Sequence, residues 1–582
     1  MNSLAPLPVV VPLGAAAVVL LLHTFVARHI IRAVAVVVVV AQIALTAALV
    51  HQSRSATIVY WFGGWRPRSG VALGISFTID PFGGGAALLA AVVTAAALVA
   101  MSSTMRDADG IVYALVLTLM AGMAGFCLTG DLFNMFVFFE LMAVSAFGLA
   151  GYHTRRLPAL RSAMNFAIIN SIGAFLVLMG ITILYSRTGA LNLAQIGRSL
   201  AHGPGPDRAA VVALALLMAG FLIKAAVVPF HFWLVDTAES APLPLVIVLA
   251  GVLDTLGVYG LARIYWTVFA VPMAESAHAF QIVLVAIGSV SGLAAGGLSL
   301  LVRRPRRRMA FIMVAHTGIV LIGVGCLNVL GVAGSAIYAV GDGLVKVALL
   351  LGLALLGFGT EEVGQPGQGR RLGVNRRAGL VVLTVGGLAT AGLPLFATGL
   401  GKASIEDAAV RAGFPWVVAV VVCTAALTGA AVFDTAFSAR SEPAGRDRDG
   451  WTPLFAAAVV ALLLSGLTTT VGRWAAAGAA HFVDTAAYPQ GVLDNHVVPV
   501  ARSSAAALSA QGLLLNLLAV AAAILLGTPF VGEALHRLVQ STRVTATRVA
   551  IDHLHDGGIG DSATWATVGT AAIAFVLAVS SR

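Results

Sequence analysis

FLIKAAVVPFHFW, residues Phe221–Trp233, places one lysine, one proline and one histidine inside an otherwise apolar stretch. The run around it, 209–235, is long enough to cross a bilayer, which takes about 20 residues as a helix. A charge near the middle of such a span costs at least ~2.5–3.5 kcal/mol on insertion scales, so Lys224 reads as a functional group. Pro229 interrupts the helix, and the freed backbone groups must be satisfied inside the protein. The stretch therefore predicts a broken membrane helix that turns its lysine toward a protein interior.

The rest of the chain agrees with a membrane setting. Of 582 residues, 59% are hydrophobic and only 10% charged. The mean hydropathy is +0.96. Soluble domains carry about 25% charged residues, so a soluble enzyme is excluded. Apolar runs predict spans at 7–23, 30–50, 83–103, 110–129, 132–152, 162–186, 209–235, 243–266, 280–302, 309–327, 330–357, 378–405, 415–437, 453–473, 510–528 and 562–580. The fold class is an all-α polytopic membrane protein of about sixteen transmembrane helices. Leu7–Leu22 has the length of a signal peptide but lacks a basic leader and is followed by another span, so it reads as a helix that stays. Cys127, Cys326 and Cys423 fall in apolar runs without ligand spacing and read as small core residues.

The net charge of +10 reflects basic loops and not a nucleic-acid surface. Arg155, Arg156 and Arg161 form one such loop, and Arg303 to Arg308 a second. Arg370, Arg371, Arg376 and Arg377 form a third, and Arg440, Arg446 and Arg448 a fourth. With sixteen spans all four fall on one side, which the positive-inside rule makes cytoplasmic, with the N-terminus outside. The segment 529–555 spaces Glu533, His536, Arg537, Arg543, Arg548 and Asp552 among apolar residues. It fits an amphipathic helix along the membrane or a partner, and equally a polar connector.

Three lysines occur in the whole chain, Lys224, Lys346 and Lys402, and all three sit in hydrophobic segments. The other basic residues are arginines, nearly all in loops or at helix ends. Arginine stays protonated at any working pH, whereas a buried lysine can release a proton. Lys224 and Lys346 lie mid-span, too deep for ready snorkelling; for Lys402, spacing alone leaves snorkelling open. Glu140, His231, Asp254, His316, Asp342 and Asp434 are further ionisable residues in apolar runs. Glu140 has no basic partner within reach on its own helix and is either neutral or paired with another helix, with Lys224 as the expected partner. Asp342 and Lys346, four apart, face one another on one helix.

Spacing suggests an internal repeat. Glu140 and His316 lie 176 residues apart, and Lys224 and Lys402 lie 178 apart. Each of the latter two spans holds helix breakers, Pro229 in one and Gly392-Leu393-Pro394 in the other. Paired interrupted helices mark inverted-repeat transporters.

The segments GDLFNMFVFFELM (130–142), KAAVVPFHFWLVDTAESAPLP (224–244), GVYGLAR (257–263) and GLPLFATGLGK (392–402) resemble, in order and spacing, the antiporter-like subunits of Mrp-type cation/proton antiporters, respiratory complex I and membrane-bound hydrogenases. The resemblance covers about residues 75–435, and DLFNMFVFFE looks most like the D-type subunit of the Mrp antiporters. It implies two inverted five-helix repeats with broken helices, at about 110–266 and 280–437. N-terminal helices at 1–109 and C-terminal helices at 438–582 flank them. It implies ion-path roles for Glu140, Lys224, Lys346 and Lys402, with His316 at a polar position of the tenth helix. Two positions depart from the pattern. Thr255, beside Asp254, stands where the family has a lysine, and Asp342 stands where it has a histidine.

The leading expectation is an ion-translocating subunit of a multi-subunit Na+/proton antiporter, working through Glu140, Lys224, His231, Asp254, His316, Asp342, Lys346 and Lys402. The alternatives are a proton-pumping subunit of a complex I-like NADH-quinone oxidoreductase or membrane-bound hydrogenase, an inorganic-carbon uptake subunit, and a scaffold that has lost transport. No Fe–S, flavin or nucleotide motif is present, so no cofactor, metal or catalytic residue is expected in this chain. The expected partners are other membrane subunits, protons, Na+ as the candidate cation, and the lipid bilayer of the cell membrane.

Overall fold

The computed structural model describes residues 4–152, 157–202, 208–358, 375–441, 453–494, 496, 499–500, 508–528 and 559–580. Arg155, Arg156, Arg370, Arg371, Arg446, Arg448 and the segment 529–555 lie outside the described residues. The described chain is almost wholly helical. Helices α1 (Leu7–Leu22) and α2 (Arg28–Ser53) precede an antiparallel hairpin of β1 (Ile58–Trp61) and β2 (Ser76–Ile79), in register with Ile58 opposite Ile79. Then come α3 (Pro81–Thr104), α4 (Gly110–Leu128), α5 (Leu132–Ala150), α6 (Leu157–Thr188) and the short α7 (Leu193–Ala201). Next are α8 (Arg208–Lys224), α9 (Phe232–Ser240) and α10 (Leu243–Phe269). The second half holds α11 (Ala277–Leu301), α12 (Pro305–Gly325), α13 (Val329–Leu355), α14 (Arg376–Thr390), α15 (Ala397–Arg411) and α16 (Val417–Ser441). The remainder is α17 (Pro453–Ser465), α18 (Thr468–Phe482), α19 (Ala487–Leu493), α20 (Ala510–Leu526) and α21 (Ile559–Ser580).

Among the described residues, ten helices are unbroken, long and apolar enough to cross a membrane, and the pair α17–α18, bent by 55°, makes up to eleven. Each of the sixteen expected spans overlaps a described helix, but several are too short or too interrupted to qualify, and the count of sixteen is not reached. Polar caps start many of the helices. Asp80, Asp109, Asp131, Asn192, Asn328, Asn375 and Ser509 each accept hydrogen bonds from first-turn amides that would otherwise be unpaired.

The breaks fall where the sequence placed them. Helix α8 stops at Lys224, and the chain resumes as α9 at Phe232 after the turn containing Pro229. Helix α14 stops at Thr390, Gly392 adopts φ +94°, and α15 starts at Ala397. The left-handed backbone at 392 is open to glycine and strained for a side chain. The same neighbours recur around both breaks. α5 packs on α4 and α6, and α6 on α8; α12 packs on α11 and α13, and α13 on α15.

Contacts tie each end of the bundle together. At one end Arg304 and Arg307 bind Glu239, Ser162 meets Ser240, and Arg376 donates to the carbonyls of Ala439 and Arg440. At the other, Asn192 donates to Ser76, and Arg198 of α7 grips Asp494 just after α19 at 2.6 Å. Cys127 and Cys326 are buried as expected; Cys423 is exposed, because its side of α16 faces outward.

Candidate functional site

The bundle holds three buried lysines in three different settings. All three rank among the largest fully buried side chains of the protein.

Lys346 stands at the seam between the helices set around the first break, α4–α10, and those set around the second, α11–α16, here called the two helix groups. Gly343 of α13 lies so close to Gly251 of α10 that a Cβ on Gly343 would collide with the Gly251 carbonyl. One turn beyond each glycine come Lys346 and Asp254. The lysine chain, which leans toward its own helix N-terminus, spans the remaining gap. Its ammonium lies 3.3 Å from Asp254 Oδ2 and 2.6 Å from Asp342 Oδ2, its neighbour one turn back. Asp254 also accepts from the Thr255 amide at 2.7 Å and the Thr317 hydroxyl at 3.1 Å. His316 of α12 contacts Asp342 through Nδ1, and its Nε2 lies 2.9 Å from the Thr428 hydroxyl of α16. The result is one network of four ionisable residues from α10, α12 and α13, ending on α16. A π-helical turn, Leu249–Leu253, immediately precedes Asp254; such turns occur frequently at functional sites.

Both positions that depart from the expected pattern border this network. Thr255, where a lysine was expected, donates its amide to the neighbouring Asp254, and Asp254 meets a lysine, Lys346, from the other helix group. Asp342 stands where a histidine was expected, and a histidine, His316, reaches it from the neighbouring helix.

Lys402 of α15 sits past the second break. Its ammonium is 3.0 Å from Glu406 Oε1 and 2.8 Å from Asn516 Oδ1 of α20. Buried and paired, it does not snorkel. Lys224 is different. Its Nζ has no hydrogen-bond partner among the described residues and lies 4.8 Å from the centre of the Phe139 ring. The expected Glu140–Lys224 ion pair is absent: the two groups act on each other electrostatically but not within ion-pair distance. Phe139, the residue beside Glu140, takes the position facing the ammonium. His231, buried in the first break, stacks near Phe232 and lies 6.3 Å, ring centre to ring centre, from Phe311 of α12. It thus stands between the two helix groups.

Several polar partners escape a reading of the sequence. Asn516, Thr317 and Thr428 do not stand out there, although Asn516 is the one amide inside the apolar run LLLNLLAV. Two further ion pairs, one half-buried and one buried, lie away from the lysines. Arg308 binds Asp434 at 2.7 Å, and Arg263 binds Asp80 at 2.6 Å inside a cage of Tyr259, Phe482 and Tyr488. Among the described residues, no group of three or more His, Cys, Asp or Glu side chains is placed to hold a metal ion.

Lys346 bridges carboxylates from both helix groups, and the His316 ring lies against one of them.

Comparison with known proteins gives a consistent result. The family described as NADH:quinone oxidoreductase/Mrp antiporter, transmembrane, matches residues 129–428, more than half of the chain. NADH-quinone oxidoreductase subunit N of Desulforudis audaxviator is 32% identical over 352 residues, 59% of this chain and 67% of that protein. The D-type subunit of a probable K(+)/H(+) antiporter of Rhizobium meliloti is 32% identical over 270 residues, 46% of this chain and 50% of that protein. The chain thus spans two thirds of the first and half of the second. Among solved structures, the Mrp complex from a Dietzia species contains a chain that superposes with a TM-score of 0.71 at 25% identity, covering 84% of this chain and 99% of that one.

Proposed function

Because the chain belongs to the NADH:quinone oxidoreductase/Mrp antiporter transmembrane family, we propose that it is the ion-translocating membrane subunit of a multi-subunit cation/proton antiporter. The observation that carries this reading is the Asp254–Lys346–Asp342–His316 network at the seam of the two helix groups. Lys224 and Glu140 precede it in one group, and Lys402 with Glu406 follows in the other. Intramembrane ionisable residues are rare and costly, and a lysine among them can exchange its proton where an arginine cannot. In this reading residues 110–266 and 280–437 are two repeats, each built on one broken helix. Protons enter near Glu140 and Lys224, cross the seam by way of His231 and the network, and leave past Lys402. The chain resides in the plasma membrane with its N-terminus outside and its basic loops in the cytoplasm, as the shared charge of those loops supports. Other membrane subunits assemble with it, and Na+ is the cation proposed for exchange.

One observation favours a second reading, a proton-pumping subunit of a redox enzyme. The relative aligned over the longer share of this chain is a quinone oxidoreductase subunit. Inverted membrane vesicles carrying the chain with its genomic neighbours separate the two. Release of a respiration-built proton gradient by added Na+ or K+ supports the antiporter. Acidification that depends on NADH or another reductant and ignores both cations would replace it with the redox pump. No flux of either kind would overturn both.

A further inference from the structure

We propose that Asn516, on the C-terminal helix α20, is a positioning residue for Lys402, which makes a helix outside the matched family region part of the ion path. The proposal rests on the functional reading above for its transport consequence, but its geometry stands separately.

Three observations carry it. First, Asn516 is fully buried in a helix that is otherwise apolar between Leu513 and Leu526. A buried amide needs partners on both its oxygen and its nitrogen. Second, both partners are present and only one orientation serves them. The Asn516 Nδ2 donates to the Gly399 carbonyl at 2.9 Å, a group that can only accept. The Oδ1 accepts from the Lys402 ammonium at 2.8 Å, a group that can only donate. Flipping the amide would lose both bonds. Third, the backbone is shaped to admit the contact. Gly512, one turn before Asn516, lets α20 approach α15 so closely that a Cβ there would sit 2.8 Å from that of Ala403. A Cβ on Gly392, in the break, would sit 3.1 Å from the Lys402 side chain and 3.4 Å from Asn516 Oδ1.

The amide thus pins the first turn of α15 with one end and Lys402 with the other. Glu406 is the charged group that acts on Lys402; α20 adds Asn516, and α13 adds Tyr338, which packs on Gly401. A neutral acceptor holds the ammonium in place without competing for its proton, so Lys402 stays poised at the break when Glu406 changes protonation state. The opposite face of α20 exposes Leu514, Leu518 and Leu525.

The test uses the whole complex in inverted vesicles, with Asn516→Leu and Asn516→Asp. Asn516→Leu removes the acceptor at similar volume and should lower flux about tenfold or more. Asn516→Asp keeps the size and the acceptor for Lys402, gives up the donor to the Gly399 carbonyl, and adds a carboxylate beside Lys402, which favours the ammonium. Per assembled complex, its pH–flux profile should move to more alkaline pH. Wild-type flux in Asn516→Leu, or a wild-type pH profile in Asn516→Asp, would overturn the proposal. If Asn516→Leu fails to assemble, the Asn516→Asp profile decides alone. Should the wild-type complex carry no flux, the functional reading fails instead. The contact is then judged by thermal unfolding of Asn516→Leu, Lys402→Met and the double variant: losses that do not add support it, and additive losses reject it.

Discussion

Asp254 of α10 and Lys346 of α13 lie 3.3 Å apart across the seam of the two helix groups, and a glycine on each helix sets that distance. A carboxylate from one group and an ammonium from the other make the seam itself the charged element.

Removing Lys346 should therefore be costly. Lys346→Met leaves Asp254 and Asp342 buried without their cation, a loss of ~3–5 kcal/mol in stability. Asp254→Asn should cost less, because Asp342 stays 2.6 Å from the ammonium. The double variant should recover part of the Lys346→Met loss. Gly343→Val should mimic Asp254→Asn in flux by forcing α13 off Gly251. Thermal unfolding and vesicle flux measure these effects, and strict additivity of Lys346→Met with Asp254→Asn would separate the two residues.

Lys224 leads to a different prediction. It has no hydrogen-bonded partner among the described residues, and the proposed path requires it to exchange a proton. Lys224→Arg keeps the charge but cannot deprotonate. It should abolish flux as fully as Lys224→Ala while the complex still assembles. Normal flux in the arginine variant would reduce Lys224 to a fixed counter-charge.

Much of this was legible in the sequence, for physical reasons. Membrane helices announce themselves by length and apolarity, and breaks by proline and glycine, so α8–α9 and α14–α15 could be placed from residues alone. Buried lysines are conspicuous when only three exist. Asp342 could be paired with Lys346 because four residues make one helical turn. Asp254 could not, because its partner lies on a helix 92 residues away and the approach depends on two glycines that look ordinary in sequence. The Glu140–Lys224 pairing was expected from charge and proximity; side-chain direction instead brings the Phe139 ring to the ammonium. Asn516 was missed because an amide carries no charge to stand out in a hydropathy profile.

Sidedness is open to labelling. Arg306 donates to the Ala241 carbonyl at the basic end, and Leu73 is 83% exposed beyond the β-hairpin at the opposite end. In a Cys423→Ser background, Leu73→Cys should react with an impermeant maleimide added to intact cells, and Arg306→Cys only after the membrane is opened. The reverse pattern would invert the proposed topology.

The Arg198–Asp494 clasp yields a pH dependence outside the membrane spans. Hydrogen bonds from Arg198 hold the Asp494 carboxyl below its ordinary range. Its contribution is present above the ordinary carboxylate range, near pH ~4, and is lost as pH falls through the lower folded value. The pair is exposed, so the effect is small and screened by salt. Amide hydrogen exchange in α7 should rise as pH drops past that point, after correction for intrinsic rates. Arg198→Gln should show the raised exchange at all pH values.

Arg263 and Asp80 provide the sharpest contrast with the lysines. Their 2.6 Å pair is buried, and Asp80 also caps α3 through the Gly83 amide. The guanidinium lies 4.3 Å from the Phe482 ring centre and 5.5 Å from that of Tyr259. The pair thus joins α3, α10 and α18 at the end of the bundle away from the basic loops. An arginine cannot give up its proton there, so the pair is suited to holding and not to relaying. Arg263→Met should strip Asp80 of its partner and cost ~3–5 kcal/mol. Arg263→Lys should recover part of this by charge, though not the planar stacking on the rings. Flux per assembled complex should stay near wild type in both, because neither variant touches a group that must exchange protons. Loss of flux in Arg263→Lys with unchanged thermal stability would move the pair from the scaffold into the ion path.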